Sequence, residues 1–289
     1  MNIITAVALG AIQGLTEFLP VSSSGHLVLF QKIFGVSEPA LFFDTMVHVG
    51  TLAAVVTVLW RDIWAILKKP LAPLTVYLII ATLPAVFFGL IFKKPVERAF
   101  ETGQFLGLAF LATSALLATV ELLAKRACRV ADIAGNSLSS GDHPSAVCLK
   151  QAEDISWLDA LIVGGFQAIA IFPGVSRSGA TLSGTLFRKF DRDFAVRFSF
   201  LLSIPVILGA VVLQTKDLVK GGAEADVTHT GIGAAAVILG TLSAAVVGFF
   251  AVRLMLKIVR KKSLWGFAVY MGILGLLVLV DGLAVHLVF

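Results

Sequence analysis

Six stretches of roughly twenty apolar residues constrain this chain more than anything else in it. They cover residues 40–60, 71–92, 104–124, 194–214, 231–253 and 264–288. Each is long enough, at about 1.5 Å per helical residue, to cross a hydrocarbon layer about 30 Å thick. Lipid offers no partner for a bare N–H or C=O, so each stretch is predicted to be an α-helix. Composition agrees: 14% of residues are charged, against about 25% in soluble domains. A soluble globular domain is excluded. The predicted class is an all-α integral membrane protein with about six transmembrane helices. Residues 1–20 lack a basic n-region and run straight into a polar motif, so they read as mature chain and not as a cleaved signal.

Two further apolar stretches are broken. Residues 3–18 and 157–172 end in Pro, Gly and Ser, and each is followed by a short second arm, 25–35 and 179–188. Broken apolar segments at corresponding places in two halves mark re-entrant hairpins at an internal-repeat interface. The halves also resemble each other in sequence. With residue 10 set on residue 164, Gly10, Gln13, Phe18, Val21, Ser22, Ser24 and Gly25 fall on Gly164, Gln167, Phe172, Val175, Ser176, Ser178 and Gly179, which is 7 identities in 18 positions. Ala81-Thr82-Leu83-Pro84-Ala85 and Gly89 echo Gly240-Thr241-Leu242-Ser243-Ala244 and Gly248. The expected organisation is a first repeat at 1–124, a polar loop at 125–156 and a second repeat at 157–289, all one membrane domain. Three spans per half is an odd number, so the second half enters with inverted topology.

Charge sets the orientation. One set of loops carries 16 of the 23 Lys and Arg residues, the other carries six, and Arg177 lies at membrane depth. The basic side is predicted to be cytoplasmic. Both termini, on this reading, lie outside, and the hairpins dip in from opposite faces to meet near the midplane. The formal charge of +5 suits an anionic membrane surface or substrate and does not imply nucleic acid. Cys128, His143 and Cys148 match no zinc spacing and read as two free thiols beside a histidine.

The polar residues of the broken stretches are the candidate site. In the second, Pro173-Gly174-Val175-Ser176-Arg177-Ser178-Gly179 opens a helix whose free N–H groups attract anions. Ser176, Ser178 and Thr181 add hydroxyl donors, and Arg177 offers a planar fork that fits phosphate oxygens. A helix cap with a snorkelling Arg is the plainer account, but an intramembrane Arg is costly and points to function. In the first, Gln13 and Glu17 are four apart and share a helix face. Glu17 could take a proton or, with the Gln13 carbonyl, bind a divalent cation. Ser22, Ser23 and Ser24 offer hydroxyls as nucleophile or phosphate donors, and His26 within a turn of them can relay protons. A capped helix with one satisfied core histidine explains any one of these residues but not the set. Asp44 and His48 read equally as site residues or helix caps, and Arg197 reads as an interfacial anchor.

The motifs Gln-x-x-x-Glu-Phe-Leu-Pro-Val-Ser-Ser-x-Gly-His (13–26) and Pro-Gly-x-Ser-Arg-Ser-x-x-Thr (173–181) resemble the two signatures of the bacterial undecaprenyl-diphosphatase family, associated with bacitracin resistance. The resemblance extends over nearly the whole chain in length, order and span count. It implies dephosphorylation of the C55 lipid diphosphate to the monophosphate carrier of peptidoglycan synthesis, in the bacterial plasma membrane. It also implies that Glu17, Ser23, His26 and Arg177 are catalytic, with Ser22, Ser24, Ser176, Ser178 and Thr181 around the phosphates. A divalent cation, Mg²⁺ or Ca²⁺, is implied near Glu17 and Gln13. The family motif admits Glu or Gln at position 13, and Gln removes one charge from any metal site. A homodimer is compatible with this reading. The rival class is a transporter or flippase of a lipid phosphate, which needs the Arg and the helix ends but has no use for Glu17, Ser23 and His26 together. A non-catalytic lipid sensor leaves the same set unexplained.

Overall fold

The computed structural model describes residues 1–36, 41–92, 95, 105–133, 149–221, 233–261 and 263–285. The side chain of Cys128, and residues 134–148 of the predicted 125–156 loop with His143 and Cys148, lie outside them; residues 125–133 of that stretch are helical. Among the described residues the chain is helical, with a single isolated β-bridge between Lys150 and Phe190.

Six helices are long and apolar enough to cross a membrane. They are α3 (Leu41–Val58), α5 (Pro73–Ile91), α6 (Leu106–Ile133), α9 (Arg192–Gly221), α10 (Ala234–Lys261) and α11 (Trp265–Val280). Each answers to one of the six predicted stretches. Their outward faces carry large apolar side chains, among them Ile79, Phe87, Leu242, Phe250 and Leu276. In water such a surface would be an extended apolar patch; in lipid it is solvated. The chain is a multi-pass membrane protein.

The broken stretches form helix–turn–helix units. The first is α1 (Ile3–Phe18) and α2 (Ser23–Ile33); the second is α7 (Trp157–Ile169) and α8 (Arg177–Phe187). Each of these helices begins on a side-chain cap. Asn2 accepts from the Thr5 N–H, and Ser22 from that of Gly25. Ser156 accepts from Asp159 in a reciprocal capping box, and Ser176 from Gly179. Such caps occupy N–H groups that the helix leaves without partners.

One element was not foreseen. Residues Trp60–Lys68, between the first two predicted spans, form a short helix, α4, with Trp60, Trp64 and Leu67 exposed. The Trp60 and Trp64 rings stack, and the Lys68 ammonium sits 5.5 Å over Trp64. Aromatic rings beside basic groups are the signature of a helix lying at the lipid–water boundary.

Packing is reciprocal between the halves. The chief partner of α1 is α10, and that of α7 is α5, while α6 and α11 pack on each other. Small residues let the backbones touch. A Cβ on Gly10 would overlap the Gly240 carbonyl oxygen, and one on Gly164 would meet that of Ala81 at 2.5 Å. Gly10 aligns with Gly164, and Gly240 with Ala81, so the two crossings use equivalent positions. Close approach through small residues is the usual means of joining helices in lipid, where apolar burial drives little.

Several basic segments converge at one end of the molecule. There Arg197 pairs with Asp62 on α4, and Arg192 with Glu121, which also accepts from the Leu264 N–H. Lys150 and Arg188 both bond to the fully buried Asp159. Lys150 is further held through its backbone, its N–H to the Lys189 carbonyl and its own carbonyl to the Asp191 N–H. At the opposite end Gln31 bonds to Asp44 and Thr45 to Gln214.

Candidate active site

The turns of the two hairpins touch. The Ser178 hydroxyl donates to the Leu19 carbonyl at 2.7 Å, and the Gly174 N–H reaches Ser24 Oγ at 3.4 Å. Sequence chemistry shapes both turns. Gly174 has φ +87°, and a Cβ there would lie 2.7 Å from that of Ala109, so only glycine fits. Ser22 takes φ +65°, a conformation costly for a side-chain-bearing residue and typical of functional sites.

Between the turns, the buried Glu17 and the half-buried Arg177 form an ion pair, with Arg177 Nη2 against Glu17 Oε1. Glu17 is 5% exposed. Its other oxygen, Oε2, accepts from Ser23 Oγ at 2.5 Å and from Gln13 Nε2 at 2.8 Å. Arg177 Nη1 donates to the Ser203 carbonyl on α9 at 3.3 Å, which leaves further donors of its fork for a ligand. His48 on α3 faces the same carboxylate, its Nε2 4.0 Å from Oε2, while its Nδ1 lies 2.6 Å from the Asp44 carbonyl. Of the two readings held for His48, its position favours a site residue. Burying the Glu17 carboxylate is tolerable because the guanidinium neutralises it and its other oxygen is bonded; removing one partner of a buried pair typically costs about 3–5 kcal/mol.

The chain thus brings together Gln13, Glu17, Ser23 and Arg177 as anticipated. His26 lies elsewhere. It is buried, with Nδ1 2.8 Å from the Ser22 carbonyl and Nε2 2.7 Å from the Tyr270 hydroxyl on α11. The remaining hydroxyls have protein partners. Ser22 and Ser176 cap α2 and α8, and Ser176 Oγ also lies 3.3 Å from Ser178 Oγ. Thr181 bonds to the Arg177 carbonyl and to Ser199. Tyr270, Ser199, Ser203 and Thr113, whose hydroxyl accepts from the Ser176 N–H at 3.0 Å, went unnoticed in the sequence. They are polar residues within spans, and intramembrane polarity was the only signal available for them.

Among the described residues no three His, Cys, Asp or Glu gather where they could share a metal ion. Two side chains there could hold a hard cation, with the Gln13 amide, whose Nε2 now faces Glu17, turned over. Glu17 supplies a carboxylate, and Gln13, fully buried, has a side-chain Oε1 without a hydrogen-bond partner. A magnesium-type ion needs no more from a protein than one or two such groups when phosphates and water complete its shell.

Chemically, the arrangement joins a hydroxyl, a carboxylate bonded to it and a fixed cation, all beside a helix N-terminus. That is what transfer of a phosphoryl group requires: a nucleophile, a proton acceptor and compensation for negative charge. The comparisons with known proteins agree with this chemistry. Residues 6–277 match the family model described as "Bacitracin resistance protein BacA". The chain is 44% identical over 280 residues to the undecaprenyl-diphosphatase of Carboxydothermus hydrogenoformans, covering 97% of each. It is 43% identical over 279 residues to undecaprenyl-diphosphatase 4 of a Bacillus cereus strain, covering 96% of this chain and 97% of the relative. It is 37% identical over 282 residues to the undecaprenyl-diphosphatase of Halothermothrix orenii, covering 97% and 98%. With nearly its whole length matched and its Glu17, Ser23 and Arg177 drawn into one cluster, the chain belongs to the bacitracin resistance protein BacA family.

Proposed function

We propose that this protein hydrolyses undecaprenyl diphosphate to undecaprenyl phosphate and inorganic phosphate, recycling the lipid carrier of peptidoglycan synthesis. The observation that carries this reading is the meeting of Ser23, Glu17 and Arg177 across two hairpins. A carrier that only moves lipid needs the cation but not a hydroxyl bonded to a carboxylate.

The diphosphate sits between the hairpin turns, and its polyprenyl tail leaves sideways into lipid. Ser23 Oγ attacks the terminal phosphorus in line while its proton passes to Glu17. The bond from that phosphorus to the bridging oxygen breaks, and undecaprenyl phosphate leaves. Water then attacks the phosphoserine and releases phosphate. Arg177, taken from Glu17 by the substrate, holds the transferring oxygens as charge spreads over them. Ser24 and the α8 N-terminus face the same phosphates, and Ser22, Ser176, Ser178 and Thr181 keep the turns in shape around them. His26 serves proton handling from the flank. A divalent cation, held by Glu17 and Gln13, would offset charge on the diphosphate when bound.

The hairpins, on this reading, are re-entrant and the two repeats, 1–124 and 157–289, are inverted in the bacterial plasma membrane; the reciprocal glycine crossings support it. The basic end faces the cytoplasm and both termini lie outside. Labelling of intact cells with a membrane-impermeant thiol reagent should leave Cys128 and Cys148 unmodified, and rapid modification before lysis would reverse the orientation. Activity is tested with purified protein and polyprenyl diphosphates of C55 and shorter chain. Phosphate release with burst-phase labelling of Ser23 is the expected result. Vesicles in which the protein moves lipid phosphate across the bilayer while releasing none would favour the flippase.

A further inference from the structure

The histidine of the first motif is not free. His26 lies on α2, and the groups facing its ring are Phe110 from α6, Tyr270 from α11 and the Ser22 carbonyl from its own turn. A carbonyl can only accept, so Nδ1 must carry a proton to hold Ser22 at 2.8 Å. In the neutral ring Nε2 is then a lone pair, and the Tyr270 hydroxyl, 2.7 Å away, must donate to it. Tyr270 also stacks on the imidazole, with centroids 5.7 Å apart and planes 18° from parallel. Tyr270 thus holds the plane of the ring and partners its Nε2, while the Ser22 carbonyl sets the tautomer.

The bond has a second end. The Ser22 carbonyl that His26 Nδ1 holds also accepts the His26 backbone N–H at 3.1 Å. Ser22 is the residue with φ +65°, and Ser23, the proposed nucleophile, follows it. The path Tyr270, His26, Ser22 therefore runs from the last span of the chain to the strained turn that presents Ser23. It joins residues 244 apart in sequence.

We propose that Tyr270 is a positioning residue of the active site, which braces the serine turn through His26 and serves as hydrogen-bond partner to its Nε2 in both protonation states. The hydroxyl suits that task because it can donate to a neutral imidazole and accept from an imidazolium without leaving its place. When His26 gains a proton on Nε2, the hydroxyl hydrogen turns away and its oxygen accepts. No other covalent bond changes.

The inference rests on the catalytic reading given above, so its test has one arm that needs no turnover. In protein labelled with ¹⁵N-histidine, the His26 signals are identified by their loss in His26→Gln. The neutral ring should show a protonated Nδ1 and a hydrogen-bonded, unprotonated Nε2. A protonated Nε2 in the neutral ring overturns the proposal. The second arm is Tyr270→Phe, which keeps the stacked ring and removes the hydroxyl. The Nε2 signal should shift. Turnover should fall about 10-fold, the scale of one net hydrogen bond, with KM within about twofold. A hydrogen bond favours the charged form of the ring more than the neutral one, so the His26-dependent limb of the pH–rate profile should move to lower pH. An unmoved profile, even with a lower kcat, reduces Tyr270 to packing and overturns the proposal. If wild-type protein releases no phosphate, the enzymatic reading falls while the nitrogen signals still decide the positioning.

Discussion

The two hairpins are built alike and equipped differently. Both have a first helix crossing the other half at a bare glycine, a serine cap and a short second helix. In the first, the face of α1 that reaches the turn carries Gln13 and Glu17, bonded to each other at 2.8 Å. In the second, the corresponding positions are Gln167 and Ile171, and Gln167 finds only the Ala81 carbonyl at 3.4 Å. Just after the capping serine the halves trade roles, with Ser23 in one and Arg177 in the other. Two hairpins that cross and turn alike need glycines and caps twice. The chemistry is needed once, and each hairpin carries half of it. Neither hairpin alone has a nucleophile facing a cation.

That division can be broken at several levels. The largest effect is expected from Glu17→Gln, nearly isosteric, which removes both the partner of Arg177 and the acceptor for Ser23. Phosphate release should fall by at least about 10³-fold while gel filtration shows a monodisperse protein, and turnover within a few-fold of wild type would remove Glu17 from the mechanism. Arg177→Lys keeps the charge and loses the fork. We expect kcat/KM to drop about 10²-fold, about 2.7 kcal/mol, with near wild-type kinetics breaking the link between the hairpins. The scaffold is tested by Gly10→Ala and Gly164→Ala, each costing about 1–3 kcal/mol through forced separation of backbones. The overlap at Gly10 is the deeper of the two, so thermal unfolding in detergent should fall further for Gly10→Ala. Smallest is Gln13→Glu, expected to hold kcat/KM within about threefold and to lower the concentration of divalent cation giving half-maximal activity, since it adds a carboxylate beside Glu17. Loss of activity there would show that the neutral amide is required.

How much of this was legible follows from what each signal depends on. Span positions depend on local hydropathy, so the stretch read as 71–92 returned as Pro73–Ile91 and that read as 3–18 as Ile3–Phe18. The pairing of Glu17 with Arg177 was legible only because the repeat aligned their turns. His26 was singled out for lying within a turn of the serines, but nothing in the sequence announced that its ring would meet Tyr270 on α11. Tyr270 and His48 approach from other helices, and interhelical register leaves no trace in periodicity. The short helix at Trp60–Lys68 was missed because its apolar run, residues 63–67, is only five long and is flanked by Arg61, Asp62 and Lys68.

Lys150 has a consequence for how the gene could be cut. Its ammonium bonds to Asp159 at 2.7 and 2.8 Å, and its backbone is pinned to Lys189 and Asp191. All three partners lie in the second half, so the chain entering that half is anchored to it by its own residues. Two fragments, broken between Ile133 and Leu149 and expressed together, should therefore find each other in the membrane. The reciprocal crossings of α1 on α10 and α7 on α5 would act as the adhesive, with covalent continuity dispensable for assembly.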